Sequence, residues 1–408
     1  MRINKIFVLT ALTASLASTL ALGQENTPPN TQLNALIEAQ RYEDAYILAT
    51  SDLEAWEGDT DFDFLYGIAA IESGYANESF NEVLASNPPE NVQDNIRAFL
   101  SLIEERRNTR KSSFSFAFAP VIGHDDNINS ATSNGLIDTP LIGEIELNSE
   151  GLKTADEFMD ITVNVAYKKP LSRDRSVDLT LIANRHDNQS SDQFDIDYAL
   201  ADLTYGYGND THRFRHSVQT QTVYLNGERF QNTYRFNNSW QRAGENGWYQ
   251  GLSAALSTSR NVNTPEAPLS DLKDTNQVLI SGSLTKLSAS FTNTSTLFYA
   301  KDSALAAQGE HNGRAYYGLS HSLLWRLNGA HTPYARLSYQ TTAYDAEHPI
   351  FFNDVRDDGN ISATLGWTWQ YSPRLTVNSE MAYNDSSSNI ALFEFTRFKY
   401  QIGLQFQM

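Results

Sequence analysis

The sequence contains no cysteine among its 408 residues. Structural disulfides, thiolate metal sites and a cysteine nucleophile are therefore excluded. Basic residues are also scarce, because 30 lysines and arginines stand against 49 aspartates and glutamates, for a formal net charge of -19 at pH 7. This acidic balance argues against nucleic acid as a partner.

Long apolar runs are missing beyond the N-terminal segment. No later stretch approaches the ~20 apolar residues that a membrane-spanning helix needs, and the mean hydropathy is -0.44. These values exclude a helical membrane protein. They are compatible with a transmembrane β-barrel, because the polar residues that face its interior lower the mean hydropathy.

Residues 1–23 have the pattern of a secretory signal peptide. Arg2 and Lys5 supply positive charge, the segment from Ile6 to Leu22 is mostly apolar, and small residues precede a predicted cleavage after Gly23. An uncleaved membrane anchor is the alternative. The apolar segment is short and rich in Ala, Ser and Thr, which favours the cleaved signal.

Residues 33–110 are predicted to form a helical domain, preceded by a linker over residues 24–32. Apolar residues recur every three to four positions, Asp59, Thr60 and Asp61 offer N-caps, and Gly74 is expected to end a helix. The stretch from Phe62 to Pro88 resembles a tetratricopeptide unit, with small residues where paired helices approach each other. A plain bundle of three to five helices is the alternative.

From about Lys111 the apolar pattern changes to a period of two and continues to Met408. In the last eleven positions, large apolar side chains alternate with charged, amide or glycine residues. About fourteen such runs predict an α+β multidomain protein, in which the helical domain precedes a ~14-stranded antiparallel transmembrane β-barrel over residues 111–408. Met408 stands where such barrels usually end in an aromatic residue.

The connections between the predicted strands alternate in length. Long ones are expected near 123–157, 186–194, 225–230, 260–273, 301–312, 345–358 and 385–393, and short ones near 169–175, 207–211, 243–247, 286–288, 327–332 and 371–374. This alternation is typical of an up-and-down barrel with long extracellular loops and tight periplasmic turns. An even number of strands places both barrel ends, and with them the helical domain, on the periplasmic side.

Aromatic residues flank the short turns. We expect an aromatic girdle at the periplasmic membrane interface, because the polar tip of Trp or Tyr stays hydrated while its ring is buried. The predicted girdle comprises Tyr167, Trp240, Trp248, Trp325, Trp367 and Trp369, and Tyr334 is assigned to the same ring.

Polar residues on the opposite face of the strands predict a hydrated lumen. The charged candidates for this face are Arg213, Arg215, Arg235, Arg336, Glu380, Arg397 and Lys399. About fourteen strands should enclose more space than an eight-stranded barrel, whose interior is filled by side chains. A conduit, open or plugged by a mobile segment, is the favoured interpretation. A static barrel that only anchors the helical domain is the alternative.

The first long connection carries a run of Asx residues. Asp125, Asn127 and Asn129 have the spacing of a calcium-binding loop, but Ser130 and Leu136 stand where such a loop needs glycine and glutamate. Successive Asx turns are therefore the favoured interpretation, and no metal site is predicted.

The sequence offers little for catalysis. It has no Gly-x-Ser-x-Gly elbow and no His-Glu-x-x-His motif, and its eight histidines are scattered. His216 and His321 fall in predicted strands and could approach loop carboxylates. We predict that the protein is not an enzyme and that it uses no cofactor.

The first long connection also carries a family resemblance. Asp126, Asn127, Ile128, Asn129 and Ala131 form a stretch similar to the Asn-Ile-Asn-x-Ala signature that follows the first strand in the surface lipoprotein assembly modulator (Slam) family. The architecture from about Leu33 to Met408 resembles that family as well. A difference is the helical segment, which at about eighty residues is short.

The resemblance implies a location and a role. Members of the family are expected in the Gram-negative outer membrane, inserted by the barrel-assembly machinery, with tetratricopeptide-like helices in the periplasm. The implied function is translocon-like: moving surface lipoproteins or small secreted proteins across the outer membrane, with the helices engaging the client. A polysaccharide-export porin and a small-solute porin with a helical appendage remain alternatives.

Overall fold

The computed structural model describes residues 29–39, 41–56, 59–85, 93, 96–97, 100–101, 111–140, 143–172, 174–264, 267–347 and 352–408. The chain divides into two compact units, residues 1–109 and 110–408. The predicted signal peptide lies outside the described residues, as does most of the predicted helical domain beyond Ala85.

Four helices are described in the first unit. They are α1 (Asn30–Glu38), α2 (Tyr42–Trp56), α3 (Thr60–Ser73) and α4 (Tyr75–Ala85). The predicted caps of α3 are present: the Asp59 carboxylate accepts a hydrogen bond from the Phe62 amide at 2.9 Å, and Gly74 ends the helix at φ 95°. Helix α1 starts inside the predicted linker, directly after Pro29, because proline is compatible with a helix start.

The helices share a small apolar core. Its fully buried members are Leu33, Ala45, Ala49, Phe62 and Ala69, with Leu65 nearly so. Tyr46 stacks on Tyr66 and Tyr75 beside this core, with ring centroids 5.6 and 4.4 Å apart. Within the described part of the chain, none of the helices has the length and apolar character needed to cross a membrane.

The second unit is a closed barrel of fourteen antiparallel strands, so the predicted fold class is confirmed. The strands run in chain order around the barrel, and the first strand closes on the last. They are β1 (Ser113–Asp125), β4 (Asp156–Ser172), β5 (Arg175–Asn188), β6 (Ile196–Gly208), β7 (His212–Leu225), β8 (Glu228–Ala243), β9 (Trp248–Asn261), β10 (Thr275–Leu287), β11 (Phe291–Ala304), β12 (Arg314–Trp325), β13 (His331–Glu347), β14 (Val355–Ser372), β15 (Leu375–Ser388) and β16 (Phe395–Gln407). A separate hairpin, β2 (Leu136–Thr139) and β3 (Gly143–Glu146), lies in the first long connection.

The register assigns side chains to two faces, because residues directly opposite each other in a ladder point the same way. Ile402, for example, pairs with Ile122 on one side and Ser379 on the other. One face carries exposed aliphatic side chains, such as Leu297 and Leu365, which are 65% and 64% exposed. Such an apolar belt around a closed barrel is the surface that lipid covers, so this is the outer face.

The short connections occur where the sequence predicts them, but one predicted long loop is wrong. Residues 225–230 contain only the two-residue turn Asn226–Gly227 between β7 and β8. Both residues have positive φ, at 50° and 75°. Asn-Gly is the preferred sequence for a tight hairpin turn of this kind, and that local signal should have overridden the expectation of strict alternation.

Candidate functional site

Charged residues on the inner face of the barrel form ion pairs along the wall. Basic and acidic groups alternate there, so neither sign dominates. The pairs are Arg215–Asp178, Arg314–Asp302, Arg336–Glu380, Arg356–Asp358, Arg397–Asp125 and Lys399–Asp160. A wall built from such pairs and from amides holds water rather than a packed apolar core.

The register places all seven charged candidates from the sequence on this same face. They are Arg213, Arg215, Arg235, Arg336, Glu380, Arg397 and Lys399. Two of the seven, Arg213 and Arg235, form no ion pair with the described residues, and Arg235 also has a buried nitrogen, its Nε, without a hydrogen-bond partner. The structure thus leaves two inner-face guanidinium groups without an acidic partner among the described residues, and the one with a buried, unbonded nitrogen is Arg235.

The assignment of Tyr334 to the aromatic girdle is wrong. Tyr334 lies opposite Gly366 on the inner face, and its ring occupies the space that a side chain at position 366 would fill. Its hydroxyl donates a hydrogen bond to Glu380 Oε2 at 2.6 Å. A glycine on the neighbouring strand makes room for the ring, and this pairing across strands is invisible in the sequence of one strand.

The other girdle residues lie near the short-turn end, on the aliphatic face. They are Tyr167, Trp240, Trp248, Trp325, Trp367 and Trp369. Two histidines, which the sequence did not single out, bind the indoles: Trp240 donates to His212 Nδ1 at 3.1 Å and Trp367 donates to His331 Nδ1 at 3.2 Å. These contacts satisfy the polar tips of rings whose remaining surface is apolar.

Asn127 organises the start of the first long connection. Its side chain is fully buried. The amide nitrogen donates to the carbonyl oxygens of Ala131 and Thr396, both at 2.9 Å, and the amide oxygen accepts from the Ala131 N–H at 3.0 Å. One side chain therefore fixes a tight local turn and ties it to the start of β16.

Asn129 and Asp126 secure the other side of this connection. Asn129 donates to the Leu152 carbonyl at 2.8 Å and accepts from the Thr154 N–H at 3.2 Å. The Asp126 carboxylate accepts from Lys153 Nζ at 2.8 Å and from the Phe398 N–H at 2.6 Å. Ile128 joins the network through its backbone N–H, which donates to the Thr154 carbonyl.

The network around Asp125 supports the Asx-turn interpretation. The Asp125 carboxylate is fully buried, accepts from the Asn127 N–H at 2.9 Å and pairs with the Arg397 guanidinium, whose Nε lies 2.8 Å away. Within the described residues, no cluster of three histidine or acidic side chains could hold a metal ion. The Asp125 carboxylate, which has the position of a calcium ligand in the sequence pattern, is thus bound by hydrogen-bond donors of the protein itself.

The long-loop end of the barrel carries a second apolar cluster. Ile137 of β2, Phe352 and Ile390 are buried together. Phe393 packs against them and lies 6.4 Å, ring to ring, from Phe352. Three separate connections, those after β1, β13 and β15, therefore converge on one small core, which we call the loop cluster.

Beneath part of the loop cluster lies a cavity of about 570 Å³, which we call the mouth cavity. Ile390 and Phe393 of the loop cluster belong to its wall. The strand residues that matter for its chemistry are Gln277, Asp302, Arg314, Tyr344 and Arg356, and the loops add Lys273 and His311.

Two arginines of the mouth cavity are held in fixed positions. Arg314 Nε donates to Asp302 Oδ2 at 2.9 Å, while Asp302 Oδ1 accepts from Gln277 at 2.8 Å. Arg356 lies between two rings, with its guanidinium carbon 4.7 Å from the centroid of Tyr344 and 3.5 Å from that of Phe393. Stacking and a carboxylate partner together restrict each guanidinium to one orientation.

Burial lowers the pKa of His311 below its ordinary value, and the positive charge of nearby Lys273 lowers it further. His311 is therefore neutral at pH 7. The positive charges of the cavity wall come from Lys273, Arg314 and Arg356, against Asp302 on the same wall.

The mouth cavity has no clear signal in the sequence. Arg314 and Arg356 stand at the start of strands, next to predicted loops, where a charged residue attracts no attention. The alternation of residues along β12 was the usable signal, because Arg314 and Tyr316 face inward while Ala315 and Tyr317 face outward. Only the closed ladder brings β8 to β14 together around one space.

The histidines do not assemble a catalytic group in the described residues. His321 contacts Ser295 Oγ at 2.9 Å, and His216 contacts the Asn238 side chain, so neither reaches the carboxylate that the sequence analysis considered. Ser295 and His321 lie opposite Leu337 on the outer, apolar face. A catalytic triad would need a third, acidic residue beside this pair, and that residue would have to lie in the lipid.

Comparisons with known proteins were made by sequence and by structure. A family model described as "Protein of unknown function (DUF2860)" matches residues 205–407, just under half of the chain. These residues run from within β6 to the end of β16. A search of curated proteins finds no match.

Similar solved structures share little sequence with this chain. OmpT carrying a deletion of loop L8, an outer membrane protein of Vibrio cholerae, is 8% identical, with a TM-score of 0.40, covering 73% of this chain and 99% of its own. An anion-selective porin from Comamonas acidovorans is 8% identical, with a TM-score of 0.41 and coverages of 73% and 100%. OccK1 (OpdK) of Pseudomonas aeruginosa is 8% identical, with a TM-score of 0.35 and coverages of 72% and 98%.

Proposed function

We propose that this protein is an outer-membrane channel for small polar solutes. The observation that carries the proposal is the inner face of the closed barrel, where ion pairs and amides line the wall while the aliphatic side chains face outward. Water must fill a space with such walls, because buried charges without hydration or complete pairing are costly.

Strand number supports a lumen that is wide enough. Fourteen strands about 4.8 Å apart and tilted by ~40° enclose a backbone cylinder roughly 28 Å across. Eight strands give an interior that side chains fill, and sixteen to eighteen leave an aqueous channel. Fourteen strands with loops at one end fit a narrow, selective passage.

Planar lipid bilayers test this function. Purified, folded barrel should give discrete single-channel currents in potassium chloride, and proteoliposomes should swell in solutions of monosaccharides. Heat-denatured protein at the same detergent concentration is the control. A folded protein that yields neither current nor swelling would contradict the channel function and leave the static anchor as the better interpretation.

A second candidate is the translocon-like role, for which the helical unit provides a specific observation. Ile47 of α2 and Phe64 of α3 are 57% and 68% exposed, although both are large apolar residues. Exposed apolar side chains on a helical unit suit the binding of an extended or partly folded client. In the translocon-like role, the helices would lie in the periplasm and pass a surface lipoprotein or small secreted protein to the barrel.

Surface proteomics separates the two candidates. A strain lacking the gene should lose one or a few proteins from the cell surface if the translocon role holds, and complementation with the Ile47→Ser/Phe64→Ser variant should fail to restore them. If the surface proteome is unchanged while solute uptake falls, the channel function alone remains.

A further inference from the structure

We propose that the mouth cavity binds a small organic anion, one that carries a carboxylate or phosphate group, before it enters the lumen. This inference rests on the proposed channel function and specifies the class of solute. It draws on three independent features: the size of the cavity, the arrangement of its guanidinium groups, and a polar row that leads from it to an uncompensated arginine.

The cavity has the dimensions of a small-molecule site. Its volume of about 570 Å³ falls within the range of roughly 300–1,000 Å³ that ligand pockets occupy. The walls combine polar side chains from the barrel with Phe393 and Ile390 from the loop cluster. A solute there would meet charged groups on one side and an apolar surface on the other.

The charge of the wall favours an anion. Lys273, Arg314 and Arg356 face the cavity against Asp302, with Asp358 behind Arg356. The wall thus keeps at least one excess positive charge, in a protein whose formal net charge is -19. An anionic solute is the ligand that this local excess attracts, while the surrounding acidic surface repels it elsewhere.

The guanidinium groups are oriented before any solute arrives. Arg314 lines the cavity and donates from Nε to Asp302 at 2.9 Å and from Nη1 to the Tyr344 hydroxyl at 3.4 Å, which leaves Nη2 without a protein partner among the described residues. Arg356 is clamped between the Tyr344 and Phe393 rings, and its Nε and Nη2 contact Asp358 at 2.9 and 2.7 Å, so that Nη1 is the nitrogen left for a solute. A planar fork held in this way binds carboxylate or phosphate with little further loss of side-chain entropy.

A row of opposed residues continues from the cavity along the inner face. In ladder order it consists of Tyr344, Arg314, Asp302, Gln277, Ser257 and Arg235. Arg235, at the far end, has a buried Nε without a partner. Arg235 lies on β8, the strand whose Gln231 lines the cavity, so its unsatisfied guanidinium nitrogen offers the next contact for an anion that leaves the cavity.

Calorimetry and bilayer recordings on the full-length protein test the inference. Glucuronate is the probe, and glucose is its neutral counterpart of the same ring size. We expect glucuronate, and not glucose, to bind the detergent-solubilised protein and to interrupt single-channel currents. The Arg314→Gln/Arg356→Gln variant should weaken glucuronate binding at least tenfold. The matched control is Arg336→Gln, which removes a paired inner-face arginine outside the cavity and should change binding less than twofold.

A variant that is expected to tighten binding distinguishes a loss of the anion site from misfolding. Asp302→Asn removes the negative charge of the wall and should tighten glucuronate binding at least threefold. Unchanged affinity in both the double arginine variant and Asp302→Asn, or equal binding of glucose and glucuronate, would overturn the inference. Conductance without glucuronate binding overturns the anion site but leaves the channel. Glucuronate binding without conductance overturns the channel but leaves the anion site.

Discussion

At the residue scale, single side chains in the first long connection hold the long-loop end of the barrel in place. Asn127 makes three hydrogen bonds to backbone groups while fully buried. The Asn-Ile-Asn-x-Ala stretch thus has a structural task here that is independent of any family role: it connects the exit of β1 to the start of β16.

We predict that Asn127→Ala loosens this connection without unfolding the barrel. The variant removes the partner of three half-buried backbone hydrogen bonds, at a local cost of about 2–4 kcal/mol. Hydrogen exchange at residues 126–132 should accelerate about 30-fold or more, since ~1.4 kcal/mol corresponds to a factor of ten. Ser133→Ala, at an exposed position of the same loop, should have no effect. Equal exchange in both variants would contradict the role of Asn127.

Asp126 gives this connection a dependence on pH. Burial raises the pKa of Asp126, but the hydrogen bonds from Lys153 and from the Phe398 N–H together lower it below its ordinary value of 3.8. A carboxylate whose pKa is lower in the folded state stabilises that state above its unfolded pKa, and the contribution is lost as the pH falls through the folded pKa.

We therefore predict that the contact between Asp126 and Phe398 is unchanged from pH 7 to pH 5 and breaks only below the ordinary pKa. NMR of the Phe398 amide in micelles measures this directly: its proton resonance should titrate with a midpoint below 3.8. Asp126→Asn should abolish the titration. A midpoint at or above the ordinary value would show that burial outweighs the two hydrogen bonds.

At the element scale, closure of the barrel depends on close approach at the seam of β1 with its neighbours. Gly123 lies where a Cβ atom would overlap the Phe158 ring of β4 and the Tyr400 carbonyl of β16. Phe158 also supports Lys399, whose Nζ lies 4.1 Å from the ring centroid. The absence of a side chain at Gly123 therefore leaves room for the Phe158 ring on the inner face.

We predict that Gly123→Ala destabilises the barrel by about 2–3 kcal/mol, because both the side chain and the backbone would have to shift. Gly135→Ala is the matched control, since an added Cβ there meets no atom within 4 Å. Urea unfolding in lipid vesicles, followed by tryptophan fluorescence, measures the difference. Similar midpoints for the two variants would show that the seam can expand without cost.

The strands also show where sequence patterns succeed and fail. Period-two alternation located the fourteen strands, because lipid on one side and water on the other impose a different residue type on each face. The girdle assignment of Tyr334 was wrong because it followed the residue type and not the alternation, which places Tyr334 on the same face as Arg336, two positions away. The expected alternation of loop lengths failed at residues 225–230, where local turn chemistry outweighed it.

At the scale of the whole molecule, the barrel is complete without the helices. Every one of its strands, from Ser113 to Gln407, pairs on both sides with another strand of the barrel. A closed barrel satisfies its own backbone hydrogen bonds, and this is the condition for stability in lipid.

We accordingly predict that deletion of residues 24–110 leaves a folded barrel that migrates differently before and after heating in gel electrophoresis, and that solute conductance is retained. Delivery of a protein client, if it occurs, should be lost. A truncated barrel that does not fold would contradict the independence of the second unit. Full client delivery by the truncated protein would rule out a role for the helices in capture.

The sequence by itself determined the class of the protein. Its alternating faces, turn residues and helix caps are local signals, set by contact with lipid, water or the adjacent backbone, and they can be read along one segment. The tertiary structure decided which inner-face charges are paired, which arginine keeps a buried nitrogen without a partner, and that three loops and seven strands enclose a cavity. These features depend on the order and register of neighbouring strands, and register is fixed only when β1 meets β16.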